Sequence, residues 1–199
     1  VAIPSALKIV LIAAAAGALG VFAGQLVSGN GWLMRTDLGQ RVLQERMERD
    51  SPKPPADLAV AARGAAMPPL RLQGLDKQPL QLPQAYAGRP ILINIWASWC
   101  GPCIKEMPEL NRYARGQGAD GTQVVGIALD NAADVAEFLQ RVPVGYPILL
   151  DTPGPRDAGV QLGNLKGVLP YSVLIGADGK LVKQRIGPFE DGEIEGWAN

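Results

Sequence analysis

The chain has 199 residues, and its 19 basic and 19 acidic side chains cancel, leaving neither a basic excess for nucleic acid nor an acidic tail for a basic partner. An apolar share of 47% suffices for a packed core and excludes a disordered chain, and the length suits one domain with appendages. The absence of histidine removes histidine acid–base catalysis and the usual zinc, copper and haem ligands, so no metal and no cofactor is expected.

Ile9 to Val27 carries no charge and approaches the ~20 residues a membrane-spanning helix needs. Residues 1–30 therefore read as a single-span anchor, with a cleaved signal peptide ending at Val21-Phe22-Ala23 as the alternative. Lys8 precedes the run while Arg35 and Arg41 follow it, so the distribution of positive charge does not orient it. Thr36 to Asp50 reads as a solvated juxtamembrane helix with a thin apolar stripe of Leu38, Val42 and Leu43. Prolines then cluster from Ser51-Pro52-Lys53-Pro54-Pro55 to Met67-Pro68-Pro69, with no apolar period. Residues 31–66 are thus expected to be a helix and a proline-rich linker that spaces a domain, residues 67–199, from the membrane.

Within that domain, Leu70 to Leu75 and Leu80 to Leu82 suggest short strands. Ile91 to Trp96 is apolar almost throughout, as a strand covered on both faces should be. A helix is expected from Gly101–Pro102 through Tyr113, a second buried strand over Thr122 to Leu129, and a helix capped by Asn131. Tyr146 to Leu150 reads as a short strand, and Tyr171 to Ile175 and Lys180 to Ile186 as a hairpin about Ala177-Asp178-Gly179. Strands alternating with helices and closed by a hairpin make an α/β domain with a mixed sheet.

The two cysteines, Cys100 and Cys103, stand three positions apart. As a structural staple so small a ring contributes only ~2 kcal/mol by chain entropy, against ~4.7 kcal/mol for a hundred-residue loop. The pair is better suited to switching between dithiol and disulfide. Cys100 falls at a helix start, where unpaired amides and the helix dipole favour a thiolate. Cys103 lies one turn on, placed to displace a mixed disulfide formed at Cys100. Pro102 suits a first helical turn, and Gly101 offers no side chain to block a partner.

Asn94-Ile95-Trp96-Ala97-Ser98-Trp99-Cys100-Gly101-Pro102-Cys103 resembles the active-site signature of thioredoxin-like proteins. The continuation Ile104-Lys105-Glu106-Met107-Pro108-Glu109-Leu110 is similar to the membrane-anchored TlpA/ResA-type thiol–disulfide oxidoreductases of bacteria. The resemblance runs over about Met67 to Asn199, including Pro147 to Asp151 and Gly167-Val168-Leu169-Pro170. It implies a thioredoxin-like fold, with a central mixed sheet flanked by helices. It makes Cys100 the solvent-facing attacking thiol and Cys103 the buried resolving thiol. Pro170 matches the family's cis-proline, which would present the Leu169 backbone to an extended partner segment. Glu106 falls where the subgroup places a carboxylate near the buried cysteine, and with no histidine it is a candidate proton acceptor; an ordinary exposed helix glutamate is the alternative. Asn94 stands where thioredoxins proper carry a buried aspartate. Trp99 is expected to line the docking surface, Trp96 to be core, and Pro108 to kink the helix. Tyr171 stands where the family more often has threonine and is expected to set partner specificity. Glu190 to Asn199 is short for the terminal helix of such domains.

The resemblance further implies an enzyme held at the bacterial inner membrane, its domain in the periplasm or otherwise outside the cytoplasm. There it would take electrons from a membrane dithiol donor and reduce protein disulfides, among them those of apocytochromes c before haem attachment. An oxidase or isomerase on the same fold is the alternative direction. A peroxiredoxin-like peroxidase needs a Pro-x-x-x-Thr-x-x-Cys pattern that the residues before Cys100 do not match. A Cu(I) chaperone would lack any ligand beyond the two thiolates.

Overall fold

A computed structural model of the protein describes residues 32–198 together with Ala13, Ala14, Ala16, Gly17, Ala18, Gly20, Val21 and Gly24. The chain divides into two compact units, Val1–Leu43 and Gln44–Asn199. Most of the apolar run expected to be an anchor lies outside the described residues; among those described, no helix is long and apolar enough to cross a membrane. The smaller unit holds α1 (Trp32–Arg35) and the start of α2 (Asp37–Arg49), where Thr36 Oγ1 accepts the Gly39 amide. Leu38 and Val42 are exposed, but Met47 packs in the core of the larger unit and the buried Gln44 donates to Gly163 O at 2.8 Å, so the C-terminal half of α2 is packed and not the solvated helix expected.

The larger unit is built on one seven-stranded sheet of order β2-β1-β5-β4-β3-β6-β7. Its strands are β1 (Leu70–Gly74), β2 (Pro79–Leu82), β3 (Ile91–Trp96), β4 (Gln123–Leu129), β5 (Ile148–Asp151), β6 (Tyr171–Ile175) and β7 (Leu181–Ile186). The β3–β4 and β4–β5 pairs are parallel and the others antiparallel, so the sheet is mixed as expected. The helices are α3 (Gly101–Gly116), α4 (Ala132–Arg141), α5 (Ala158–Gln161) and α6 (Glu193–Ala198). Asn131 caps α4 as expected, its side chain accepting the Asp134 amide. The sequence did not announce α5, whose four residues are too few to show a period.

Both faces of the central strands are covered, which is why they read as continuous apolar runs. Ile91, Ile93 and Ile95 pack with Val125, Ile127, Tyr171 and Val173 on one face, beneath Met47, Ala158 and Leu162. Leu92 and Trp96 point to the other face, toward Leu110, Tyr113, Met107 and Phe138 of α3 and α4. The α3 side chains Cys103, Glu106, Met107, Leu110 and Tyr113 recur at helical spacing and form its buried stripe. α3 runs unbroken through Pro108, which lies on its exposed side.

Residues 51–66 differ from the free spacer that their composition suggests. The Ala61 amide donates to Gln161 O at 2.7 Å, Gly64 to Leu181 O at 2.7 Å, and Ala66 bridges to Lys180. Asp57 pairs with Arg156 at 2.6 Å. These bonds tie the segment to α5 and β7, so it is part of the domain's surface layer. Proline-rich composition predicts stiffness and an absence of regular pairing, but not whether the extended chain finds a surface to lie on.

Candidate active site

The strand β3 ends at Trp96, and the turn that follows delivers Cys100 to the N-cap of α3. Asp130, just past the end of β4, braces this turn. Its Oδ2 accepts the Ser98 amide at 3.1 Å and the Ser98 hydroxyl at 2.6 Å. Cys100 and Cys103 form a disulfide, with sulfurs 2.03 Å and Cα atoms 5.3 Å apart. Cys100 Sγ also accepts the Cys103 amide at 3.3 Å. Cys100 retains 5% exposure and Cys103 none, so the order of access is the expected one, but Cys100 meets solvent through a narrow opening and not openly. Gly101 and Pro102 are exposed beside it.

The Leu169–Pro170 peptide is cis, and Pro170 is buried next to half-buried Leu169. Leu169 packs against the cluster that contains both cysteines. Trp99 is 71% exposed, and with Leu129, Leu165 and Leu169 it lines a pocket of about 420 Å³ whose further wall is Pro52 to Pro55. Trp99, Leu169, Gly101 and Pro102 thus gather on the surface around the disulfide.

Tyr171 does not join them. Strand side chains alternate between faces, so Tyr171, one residue beyond Pro170, points to the opposite side of the sheet. It is wholly buried there, its hydroxyl donating to Leu162 O at 3.1 Å and accepting from Gln184 Nε2 at 3.0 Å. The expectation that Tyr171 sets partner specificity is therefore corrected: it is a core residue that no docked partner reaches.

Glu106 is the buried carboxylate and not the exposed helix glutamate. Only 2% of it is accessible, one turn along α3 from Cys103. Asn94 Nδ2 donates to its Oε1 at 2.8 Å, and the Phe189 amide donates to its Oε2 at 2.9 Å. Burial pushes its pKa up to about 7, against the pull of the Phe189 amide, the Asn94 amide and the positive charge of Arg185. A carboxyl poised near neutrality can accept and return a proton at the pH where thiols exchange.

Sequence reasoning reaches Asn94 but neither Ser172 nor Arg185. Asn94, Ser172 and Arg185 stand directly opposite one another on β3, β6 and β7 and so share the face beneath α3. Asn94 Nδ2 also donates to Ser172 Oγ at 3.0 Å. Arg185 is 2% exposed and paired to Glu193 at 2.8 Å. A buried arginine within an otherwise ordinary strand is a signal of a paired site, but the pairing partner follows only from the fold. Among the described residues no group of histidine, cysteine and carboxylate side chains could hold a metal ion.

Comparison with known proteins places this arrangement in context. The family model described as Redoxin matches residues 62–197. The thiol-disulfide oxidoreductase ResA of Bacillus thuringiensis (strain Al Hakam) is 32% identical over 112 residues, 55% of this chain and 62% of that protein. The sporulation thiol-disulfide oxidoreductase A of Bacillus subtilis (strain 168) is 26% identical over 56% of this chain and 67% of its own. The chain thus spans a little under two thirds of the length of the ResA relative. Among solved structures, a thioredoxin-related protein from Neisseria meningitidis serogroup B is 32% identical, covering 63% of this chain and 93% of its own with a TM-score of 0.55. The sheet and its flanking helices form a thioredoxin-like α/β fold.

Proposed function

The chain belongs to the Redoxin family, and on that premise we propose that it is a thiol–disulfide oxidoreductase that reduces protein disulfides outside the cytoplasm while tethered to a membrane. The observation that carries the reading is the Cys100–Cys103 disulfide at the N-cap of α3, with Cys100 the more accessible of the two residues and a buried Glu106 one turn below.

In the reduced protein, the amides and dipole of the α3 N-terminus favour the Cys100 thiolate. It attacks a partner disulfide, one partner sulfur leaves as a thiolate, and a mixed disulfide remains. Cys103 then loses its proton to Glu106 and attacks Cys100 Sγ. This releases the second partner sulfur and forms the intramolecular disulfide. Two electrons pass from the dithiol to the partner. A dithiol donor in the membrane returns them in the same steps reversed. The names of the ResA relatives support the exchange chemistry, and the apolar run at Ile9 to Val27 supports the tether. Apocytochrome c cysteines awaiting haem are the substrate that the resemblance to TlpA/ResA-type proteins favours.

Cys103→Ser in the full chain tests the reading, since it stalls the reaction at the mixed disulfide. Capture of partners through Cys100, identified by mass spectrometry, is expected. Equal capture by Cys100→Ser would overturn the assigned roles. A potential near the ~−120 mV of an oxidant such as DsbA, in place of a value near the ~−270 mV of thioredoxin, would overturn the reducing direction.

A further inference from the structure

Two carboxylates of α3 hold one turn of the chain. Glu106 Oε2 accepts the Phe189 amide at 2.9 Å, and Glu109 Oε1 accepts the Gly192 amide at 2.6 Å. Both pairs span 83 residues, so three steps along the helix match three steps along the turn. The same turn is gripped from β7. Arg185 Nη2 donates to Pro188 O at 2.8 Å, and its two Nη atoms pair with the Glu193 carboxylate at 2.9 and 2.8 Å. Its guanidinium lies 4.6 Å from the centre of the Phe189 ring. The Glu193 carboxylate in turn accepts the Glu190 amide at 2.9 Å. Phe189 is thereby fixed on three sides: its ring under the guanidinium, the preceding carbonyl on Nη2, and the residues after it on Glu193.

We propose that Arg185 is a positioning residue for the proton acceptor: by clamping Pro188 and Glu193 it aims the Phe189 amide at Glu106 and so sets the pH at which Cys103 can yield its proton. The proposal rests on the reading of Glu106 given above. The groups facing Glu106 are few. They are Asn94 from β3, Ser172 beside it on β6, Arg185 from β7, the Phe189 amide, Cys103 on its own helix, and Tyr146 before β5, whose hydroxyl proton is held more tightly by burial and then by the Glu106 charge. Arg185 is the one cation among them. It acts on Glu106 in two ways, through its charge and through the amide it holds in place. Both stabilise the carboxylate against burial.

The two actions are separable. Arg185→Gln removes both, whereas Glu193→Gln keeps the cation, frees it from its counter-charge, and loosens the turn. Positioning predicts that Glu193→Gln raises the midpoint of the acid limb; a purely Coulombic role predicts that it lowers it. The experiment follows the second phase of aromatic thiolate release, in which Cys103 resolves the mixed disulfide, after the reduced full chain is mixed with a small aromatic disulfide across pH 5 to 9, with wild type, Glu106→Gln, Arg185→Gln and Glu193→Gln. The wild-type limb is expected near neutrality, absent in Glu106→Gln, and displaced upward by about one pH unit in both turn variants, the size a nearby charge-assisted contact commonly contributes. Unshifted profiles in the turn variants, or a downward shift in Glu193→Gln, overturn the positioning role while leaving Glu106 as acceptor. An unchanged limb in Glu106→Gln overturns both. Glu193 is partly exposed, so its variant keeps the test decisive if Arg185→Gln does not fold.

Discussion

Asn94 Nδ2 and Glu106 Oε1 lie 2.8 Å apart, joining the middle of the central strand to the helix that carries the cysteines. The bond crosses the layer between sheet and helix at a depth where water does not reach either group. It is also the point from which the protein's response to pH should be read.

Glu106 holds its proton up to about pH 7 in the folded chain against 4.5 for a free glutamate, because burial outweighs its hydrogen bonds. The folded state then binds more protons than the unfolded state between these values, so the contribution of Glu106 to stability is full below 4.5 and is lost as pH rises through 7. The loss amounts to about 3 kcal/mol at ~1.4 kcal/mol per unit. Denaturant unfolding of the oxidised protein at pH 4.5 and pH 8 should therefore show wild type losing this much relative to Glu106→Gln. Parallel stability in the two proteins would contradict the buried titration.

Asn94→Asp places a second carboxyl against Glu106. Two carboxyls at hydrogen-bond distance cannot both ionise at ordinary cost, so they should titrate as a coupled pair with one apparent value above that of Glu106 in wild type. Carboxyl carbon NMR of the oxidised domain is the measurement. Two independent titrations near the ordinary carboxylate range would show that the 94 and 106 side chains do not share a site.

Tyr171→Phe removes a hydroxyl that bonds Leu162 O and Gln184 in the core. A stability loss of about 1–2 kcal/mol is expected. Exchange kinetics with protein and small disulfides should stay as in wild type, because the side chain lies on the sheet face away from Cys100. An altered choice of protein partner with unchanged stability would reverse the assignment made here.

Trp99→Ala tests the opposite case. An exposed tryptophan contributes little to folding, so the unfolding midpoint should move by no more than ~0.5 kcal/mol. KM for a protein disulfide should rise several-fold, since exposed aromatic anchors carry much of the energy of docking. The rate with a small disulfide should hold. Equal losses with both substrates would place Trp99 in the chemistry instead of in docking.

Much of the site is legible in the sequence. The Cys-x-x-Cys pair after an apolar run located the redox centre, because only a strand feeding a helix puts two thiols one turn apart at an N-terminus. The Asn131 cap is equally local, whereas the role of Pro170 comes from the family resemblance. Glu106 was half legible: its position suggested a site, while its burial depended on which face of α3 meets the sheet. Tyr171 was misread because adjacency to Pro170 in sequence becomes opposition in a strand, where each step reverses the side chain.

The sequence by itself determined the redox pair, the strands that frame it and the exclusion of histidine chemistry, since these follow from residue identity and short-range period. Only the tertiary structure decided that residues 51–66 lie on the domain, that Asn94, Ser172 and Arg185 form one row, and that Phe189, 83 residues beyond Glu106, donates to its carboxylate. Those contacts join strands and turns far apart along the chain, and their partners are chosen by sheet order and register, which no local pattern encodes.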